Sequence, residues 1–145
     1  MILNQGKKVL QQRGRKEVGE FPEPKEGTVF YEDEKVYACL AFEPIVEGHT
    51  IVAWKGEVED LSHLSLEDYQ HLMNVMNMVR NALLKAFKTT KVYLAYLDEA
   101  CHVHWHLFPR KESGKKGFGL MAQPHGKLTD LSKVSLLRSL LSTKR

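Results

Sequence analysis

One segment, HVHWHLFPR at residues 102–110, decides how this chain folds. Successive side chains of a β-strand point to opposite faces, and histidines alternate here with apolar residues. A strand would line one face with three imidazoles, those of His102, His104 and His106. The opposite face would carry three apolar side chains, those of Val103, Trp105 and Leu107. A helix would scatter the imidazoles around its circumference, so the alternation predicts a strand with an active-site face and a core face.

Two other interpretations compete with an active site. A single histidine on a strand is usually structural, but burying three imidazoles costs free energy unless each one finds a partner. A metal site is the stronger rival because a His-x-His pair on a strand has good ligand geometry. Imidazole is a suitable ligand for zinc, copper, iron and nickel. The alternation of histidines alone does not distinguish a catalytic site from a metal site.

The composition of the 145 residues predicts one soluble domain with a real hydrophobic core. A net charge of +3 fits a protein that handles anions, without requiring nucleic acid as a partner. Cys39 and Cys101 form no Cys-x-x-Cys pair, so we expect reduced thiols and a cytoplasmic location. No apolar run approaches the roughly 18 residues that a membrane helix needs.

The chain divides into a basic N-terminal arm, residues 1–27, and a single domain, residues 28–145. Glycine and proline interrupt the arm, which is expected to be mobile or loosely docked. The strand signals lie at residues 28–32, 36–42, 50–54 and 92–97 and in the histidine segment. Residues 92–97 are apolar on both faces, which predicts a central strand that is covered on two sides.

A long helix is predicted between the third and fourth strands. Ser65 with Asp68 three residues later resembles a capping box. The apolar stripe that follows comprises Leu72, Met76, Val79, Leu83 and Phe87. A final amphipathic helix is indicated by Leu131, Val134, Leu137 and Leu141. The predicted fold class is α+β, with a five-stranded, mainly antiparallel sheet packed by the long helix.

The histidine segment resembles the signature of the histidine triad (HIT) superfamily. Its Pro109-Arg110 ending is similar to the dinucleoside polyphosphate hydrolase branch, and residues 44–52 (PIVEGHTIV) are similar to the family's proline, Gly-His and strand segment. The resemblance implies a hydrolase or nucleotidyl transferase that acts on a phosphate ester, anhydride or phosphoramidate of a nucleotide. It also implies a homodimer and no required cofactor, with any Mg²⁺ bound to the substrate's phosphates.

The same resemblance assigns a role to each of four histidines. By the family pattern, His104 attacks the α-phosphorus and forms a covalent nucleotidyl-histidine that water then resolves. His106 would contact phosphate oxygens, while His102 and His49 would orient and polarise the site. An imidazole attacks only when it is neutral, and neighbouring like charges depress each other's pKa. We therefore expect a mixed protonation state, with a neutral nucleophile beside a charged donor.

Two departures from the family pattern concern substrate binding. Only Asp98–Cys101 fills the space of the longer, glycine-rich loop that usually precedes the triad, which predicts an open leaving-group side. Ala41 stands where the family usually has a residue that holds the ribose hydroxyls. Phe42 is expected either to bind a base or ribose or to pack in the core. A non-catalytic nucleotide-binding module therefore stays open, as does a metal-dependent hydrolase built on His49 and the triad.

Overall fold

The computed structural model of the chain describes residues 21–142, and its frame is a five-stranded sheet. The strands are β1 (Val29–Glu32), β2 (Val36–Leu40), β3 (Thr50–Trp54), β4 (Lys91–Tyr96) and β5 (His104–Arg110). Their spatial order is β1-β2-β3-β5-β4, and every neighbouring pair is antiparallel. The predicted α+β class and five-stranded sheet are confirmed.

The hydrophobic core lies between this sheet and two helices. They are α1 (Leu66–Ala86) and α3 (Ser132–Ser142); a short helix that was not predicted, α2 (Phe118–Met121), precedes α3. The hydroxyl of Ser65 accepts the backbone N–H of Asp68 at 3.1 Å, so the predicted cap forms. The Asp68 carboxylate pairs instead with Lys35 at 2.7 Å and does not complete a capping box.

The alternation of the histidine segment orients it as predicted. Val103 and Leu107 are fully buried in the core cluster, and Trp105 packs against the same cluster. Each fully buried aliphatic side chain stabilises the fold by roughly 1.5–3 kcal/mol. The core face therefore holds the opposite face of the strand in a defined orientation.

The prediction that residues 92–97 form a central strand is wrong. The chain turns back after β4, and β5 inserts between β3 and β4, which leaves β4 at the edge of the sheet. Leu94 on this edge is 45% exposed. An apolar run shows that both faces tolerate apolar groups, but long-range pairing decides which strand becomes the edge.

The predicted arm and domain are only partly described. Residues 1–20 of the arm and 143–145 of the domain lie outside the described residues. Residues 21–27 lead into the sheet through a turn in which the N–H of Thr28 donates to the carbonyl of Lys25 at 3.2 Å. Across residues 21–142, no helix combines the length and the apolar character needed to cross a membrane.

Candidate active site

Four histidines meet at the junction of β3 and β5. His104 and His106 lie on β5, opposite Ala53 and Ile51 of β3. Their ring centroids are 5.1 Å apart, and the ring of His49 is 5.2 Å from that of His106. The structure therefore brings His49 to the triad across 57 residues of chain.

His102 also reaches the site, but from outside the strand. β5 begins at His104, because the chain turns at Cys101, whose φ is 52°. The ring of Phe21 contacts the rings of both His102 and His104, so these two imidazoles share one face. The prediction that all three histidines lie within one strand is wrong by two residues at its beginning, while the shared face is as predicted.

A tight turn at Gly48 aims His49 at the triad. Gly48 has a φ of 87°, which favours glycine, and an added Cβ would lie 2.9 Å from Pro109 and 3.0 Å from Phe87. The hydroxyl of Thr50 donates to the Gly48 carbonyl at 2.9 Å and secures the turn. The Gly-His pair is thus a single structural unit, in which the glycine allows the histidine to approach β5.

Backbone carbonyls fix the tautomers of two triad histidines. Nδ1 of His104 is 2.7 Å from the carbonyl of His102, and Nε2 of His102 is 2.8 Å from the carbonyl of Trp54. A carbonyl can only accept, so each of these ring nitrogens carries a proton and donates. Neutral His104 consequently has its lone pair on Nε2.

A backbone amide fixes the tautomers of the other two histidines, His49 and His106. The N–H of Ile45 donates to Nδ1 of His49 at 3.0 Å, so the proton of neutral His49 is on Nε2. That Nε2–H lies 2.9 Å from Nδ1 of His106 and donates to it. The proton of His106 is therefore on Nε2, which makes this atom a hydrogen-bond donor.

Burial keeps these imidazoles neutral. Burial lowers the pKa of His49 to about 3, with smaller contributions from His106 and His125. Burial, with charge repulsion from His104 and His125, lowers the pKa of His106 to about 4. Burial also lowers the pKa of His104, although its hydrogen bond to the His102 carbonyl opposes the shift. The expected charged donor is thus not found at His49, His104 or His106, because desolvation and repulsion between neighbouring imidazoles both oppose protonation there.

Two phenylalanines complete the ring cluster. Phe21 stacks on His102 with 4.5 Å between centroids and lies 4.6 Å from the His104 ring, which leaves His104 only 6% exposed. Phe108 stacks parallel to His106 at 5.9 Å. Because side chains two residues apart on a strand share a face, the sequence could have predicted that Phe108 lies beside His106. Phe21 belongs to the predicted arm, where no local pattern points to the site.

Within residues 21–142, the ring of Phe42 does not contact the rings of the triad histidines. Its side chain is 42% exposed, with the amines of Lys25 and Lys127 at 4.6 and 5.7 Å from its centroid. The core alternative for Phe42 is therefore wrong, while nucleotide binding by this residue stays a prediction. Ala41 is buried beside His49, and its N–H donates to the His49 carbonyl at 2.8 Å.

The ligand geometry for a metal is not assembled in the described chain. Among residues 21–142, no group of three or more His, Cys, Asp or Glu side chains is arranged to hold a metal ion. Both ring nitrogens of His49 are already engaged, by Ile45 and His106. The cluster instead presents a lone pair on His104 and an N–H donor on His106, which suits attack on a phosphoryl group.

The HIT domain profile matches residues 23–113, and the chain belongs to the HIT domain family. The bis(5'-adenosyl)-triphosphatase of Saccharomyces cerevisiae (strain YJM789) is 27% identical over 96 residues, which cover 61% of this chain and 47% of the yeast protein. The chain thus spans about half the length of the yeast relatives that it matches. The predicted membership of the HIT superfamily is confirmed.

Two solved structures share the fold. The Plasmodium falciparum diadenosine triphosphate hydrolase, in complex with cyclomarin A, superimposes with a TM-score of 0.67 at 22% identity, covering 86% of this chain and 82% of that one. A hypothetical histidine triad nucleotide-binding protein from Sulfolobus tokodaii gives a TM-score of 0.62 at 26% identity, covering 82% and 83%. Both likenesses support the sheet and helix arrangement described above.

Proposed function

We propose that this protein is a nucleotide hydrolase of the histidine triad type. It cleaves a phosphoanhydride, phosphoester or phosphoramidate bond at the α-phosphate through a covalent nucleotidyl-histidine on His104. The observation that carries the proposal is the tautomer of His104, whose Nδ1–H is held by the His102 carbonyl while Nε2 keeps its lone pair. The yeast relative's name, bis(5'-adenosyl)-triphosphatase, supports a dinucleoside polyphosphate as the first substrate to test.

In the first step, Nε2 of His104 forms a bond to the α-phosphorus as the bond to the leaving group breaks. The leaving group departs with the electron pair of that bond. Positive charge develops on the imidazole, and the His102 carbonyl stabilises it through the Nδ1–H. The Nε2–H of His106 donates to a phosphoryl oxygen, in the orientation set by His49.

In the second step, water attacks the same phosphorus and the P–N bond breaks. The electron pair returns to Nε2 of His104, and the proton from water is released to solvent or to the departed group. The products are a nucleoside monophosphate and the protonated leaving group, which is a phosphate compound for an anhydride, an alcohol for an ester and an amine for a phosphoramidate. No proton needs to leave His104 beforehand, because its lowered pKa keeps the imidazole neutral at pH 7.

The decisive test is His104→Ala, assayed with diadenosine triphosphate and adenosine phosphoramidate. Loss of a covalent nucleophile is expected to reduce kcat by about 10⁴-fold or more. His106→Ala should lose about 10²–10³-fold, as for removal of one oxyanion donor. The matched control is His71→Ala, which removes a histidine whose partner is Asp33 on the β1–β2 turn.

Quenched wild-type reactions with label in the α-phosphate should trap label on the protein. The bond should be acid-labile and base-stable, as expected for a phosphoramidate on His104. If His104→Ala keeps wild-type turnover, the covalent mechanism is wrong.

A non-catalytic nucleotide-binding module is the second candidate function. It is favoured by Ala41, by the short Asp98–Cys101 connection and by the 6% exposure of His104 beneath Phe21. This function requires nucleotide binding in the wild type with neither turnover nor trapped label. The labelling experiment therefore separates it from the hydrolase.

A metal-dependent hydrolase is distinguished by elemental analysis and chelation. We propose that the histidines need no resident metal, supported by the two engaged ring nitrogens of His49. Any Mg²⁺ would accompany the substrate's phosphates. Stoichiometric zinc, with activity that is lost on chelation and restored by zinc, would contradict this proposal.

We further propose a cytoplasmic homodimer. Edge strand β4 supports self-association, because Leu94 is exposed there and the edge can pair with another strand. Light scattering should give twice the mass of the chain. Leu94→Lys should shift this mass toward that of the monomer.

A further inference from the structure

Residues 123–128 are hydrogen-bonded to the loop that precedes His49. The N–H of Gly126 donates to the carbonyl of Pro44 at 2.7 Å, and the N–H of Leu128 donates to the carbonyl of Phe42 at 2.9 Å. Gln123 reaches the carbonyl of Ile45 with its side-chain amide at 3.4 Å. These bonds attach residues 123–128 to the same loop whose Ile45 N–H orients His49.

His125 lies in the middle of this attached segment. Its Nδ1 is 2.7 Å from the carbonyl of Glu43, and since a carbonyl can only accept, Nδ1 carries a proton. The ring is thereby oriented with Nε2 directed away from Glu43. The two bonds on either side, from Gln123 and Gly126, hold the backbone that carries this imidazole.

His125 is near the site and differs from its neighbours in exposure. Its bond to the Glu43 carbonyl and the neighbouring Gly126–Pro44 bond attach it to the loop whose Ile45 N–H contacts His49, and its charge contributes to lowering the pKa of both His49 and His106. It is exposed, whereas His49 and His104 are buried. Its ring is therefore accessible to a ligand that binds at the histidine cluster.

We propose that His125 is a substrate-binding residue, which donates Nε2–H as an imidazolium to an oxygen of the phosphate held at His106. This proposal rests on the proposed function and adds a residue beyond the segment 23–113 that matches the family. The phosphate's negative charge favours the protonated ring, and the Glu43 carbonyl stabilises its second N–H. His125 thus supplies the positive charge that the buried imidazoles cannot carry.

Two substitutions separate phosphate binding from a structural role. In His125→Asn the amide can occupy the place of Nδ1 and still donate to Glu43, but nothing replaces Nε2. In His125→Gln the amide can extend to the place of Nε2, while the bond to Glu43 is lost. If His125 has only a structural role, AMP affinity should fall more in His125→Gln. If His125 binds phosphate, AMP affinity should fall more in His125→Asn.

The readout is calorimetric binding of AMP compared with adenosine, which requires no turnover. In His125→Asn, AMP affinity should fall about tenfold, as for a lost charge-assisted hydrogen bond, while adenosine affinity stays within about twofold. His125→Gln should retain more AMP affinity than His125→Asn. Gln123→Ala, which loosens the same segment without touching the imidazole, should leave the ratio of the two affinities unchanged.

Three results would overturn the proposal: unchanged AMP affinity in His125→Asn, an equal loss for adenosine, or no AMP binding by the wild type. Failure of the hydrolase proposal is separate. It would appear as wild-type turnover in His104→Ala or as the absence of trapped label. A chain that binds AMP through His125 but does not turn over substrate would keep this inference and reject the hydrolase.

Discussion

The burial of His49 beside His106 makes stability depend on pH, and His49→Gln isolates the contribution of His49. In the unfolded chain His49 titrates at its ordinary value of 6.5, whereas burial lowers its pKa to about 3 in the folded protein. Between these two values the unfolded state binds more protons than the folded state. The stability contributed by neutral His49 is therefore fully present above pH 6.5 and is lost as the pH falls from 6.5 toward 3.

The size of the effect follows from linkage. Well below pH 6.5, each such histidine lowers the free energy of unfolding by about 1.4 kcal/mol for every unit by which the pH falls. Between pH 7 and pH 5 the loss amounts to about 2 kcal/mol. In His49→Gln the amide can still donate to Nδ1 of His106, but it does not titrate. The Ile45 N–H loses its acceptor, so at pH 7 the variant should be less stable by about 1–3 kcal/mol.

Urea denaturation at pH 7, 6 and 5, followed by tryptophan fluorescence, measures the free energy of unfolding of both proteins. The difference between wild type and His49→Gln should shrink by about 2 kcal/mol as the pH falls from 7 to 5. Groups away from residue 49, including the carboxylates, cancel in this difference, and the Gln amide that still donates to Nδ1 of His106 preserves the hydrogen bond of that neighbour. Two parallel stability curves would refute the reasoning, because they would mean that His49 is not held neutral by burial.

Two further substitutions test how the site is built. Gly48→Ala should destabilise the fold by about 1–3 kcal/mol, since the new Cβ meets two rings at 2.9–3.0 Å, while Gly119→Ala, with open space, should be neutral in the same urea titration. Phe21→Ala should speed modification of His104 by diethyl pyrocarbonate several-fold in peptide mapping, because it removes the ring that covers this imidazole. Phe118→Ala, which removes an exposed ring, is the control, and equal rates in both variants would contradict the covering role.

Local periodicity in the sequence by itself predicted the five strands and the helices α1 and α3, but neither the short helix α2 nor the exact start of β5. Alternation placed Val103 and Leu107 in the core, and a single hydroxyl at Ser65 marked the beginning of α1. These features depend on neighbours within a few residues, so the sequence contains all the information that specifies them. The Gly-His pair at residues 48–49 likewise predicted a turn before β3.

The tertiary structure alone decided the charge state and the surroundings of the site. The tautomer of His104 depends on a carbonyl, a group that every residue has and that carries no sequence signal. The neutrality of His49 and His106 comes from desolvation, which exists only after β3 and β5 have paired. Phe21 contacts the rings of the cluster and His125 bonds to the loop before His49, and only long-range packing could bring these two residues there.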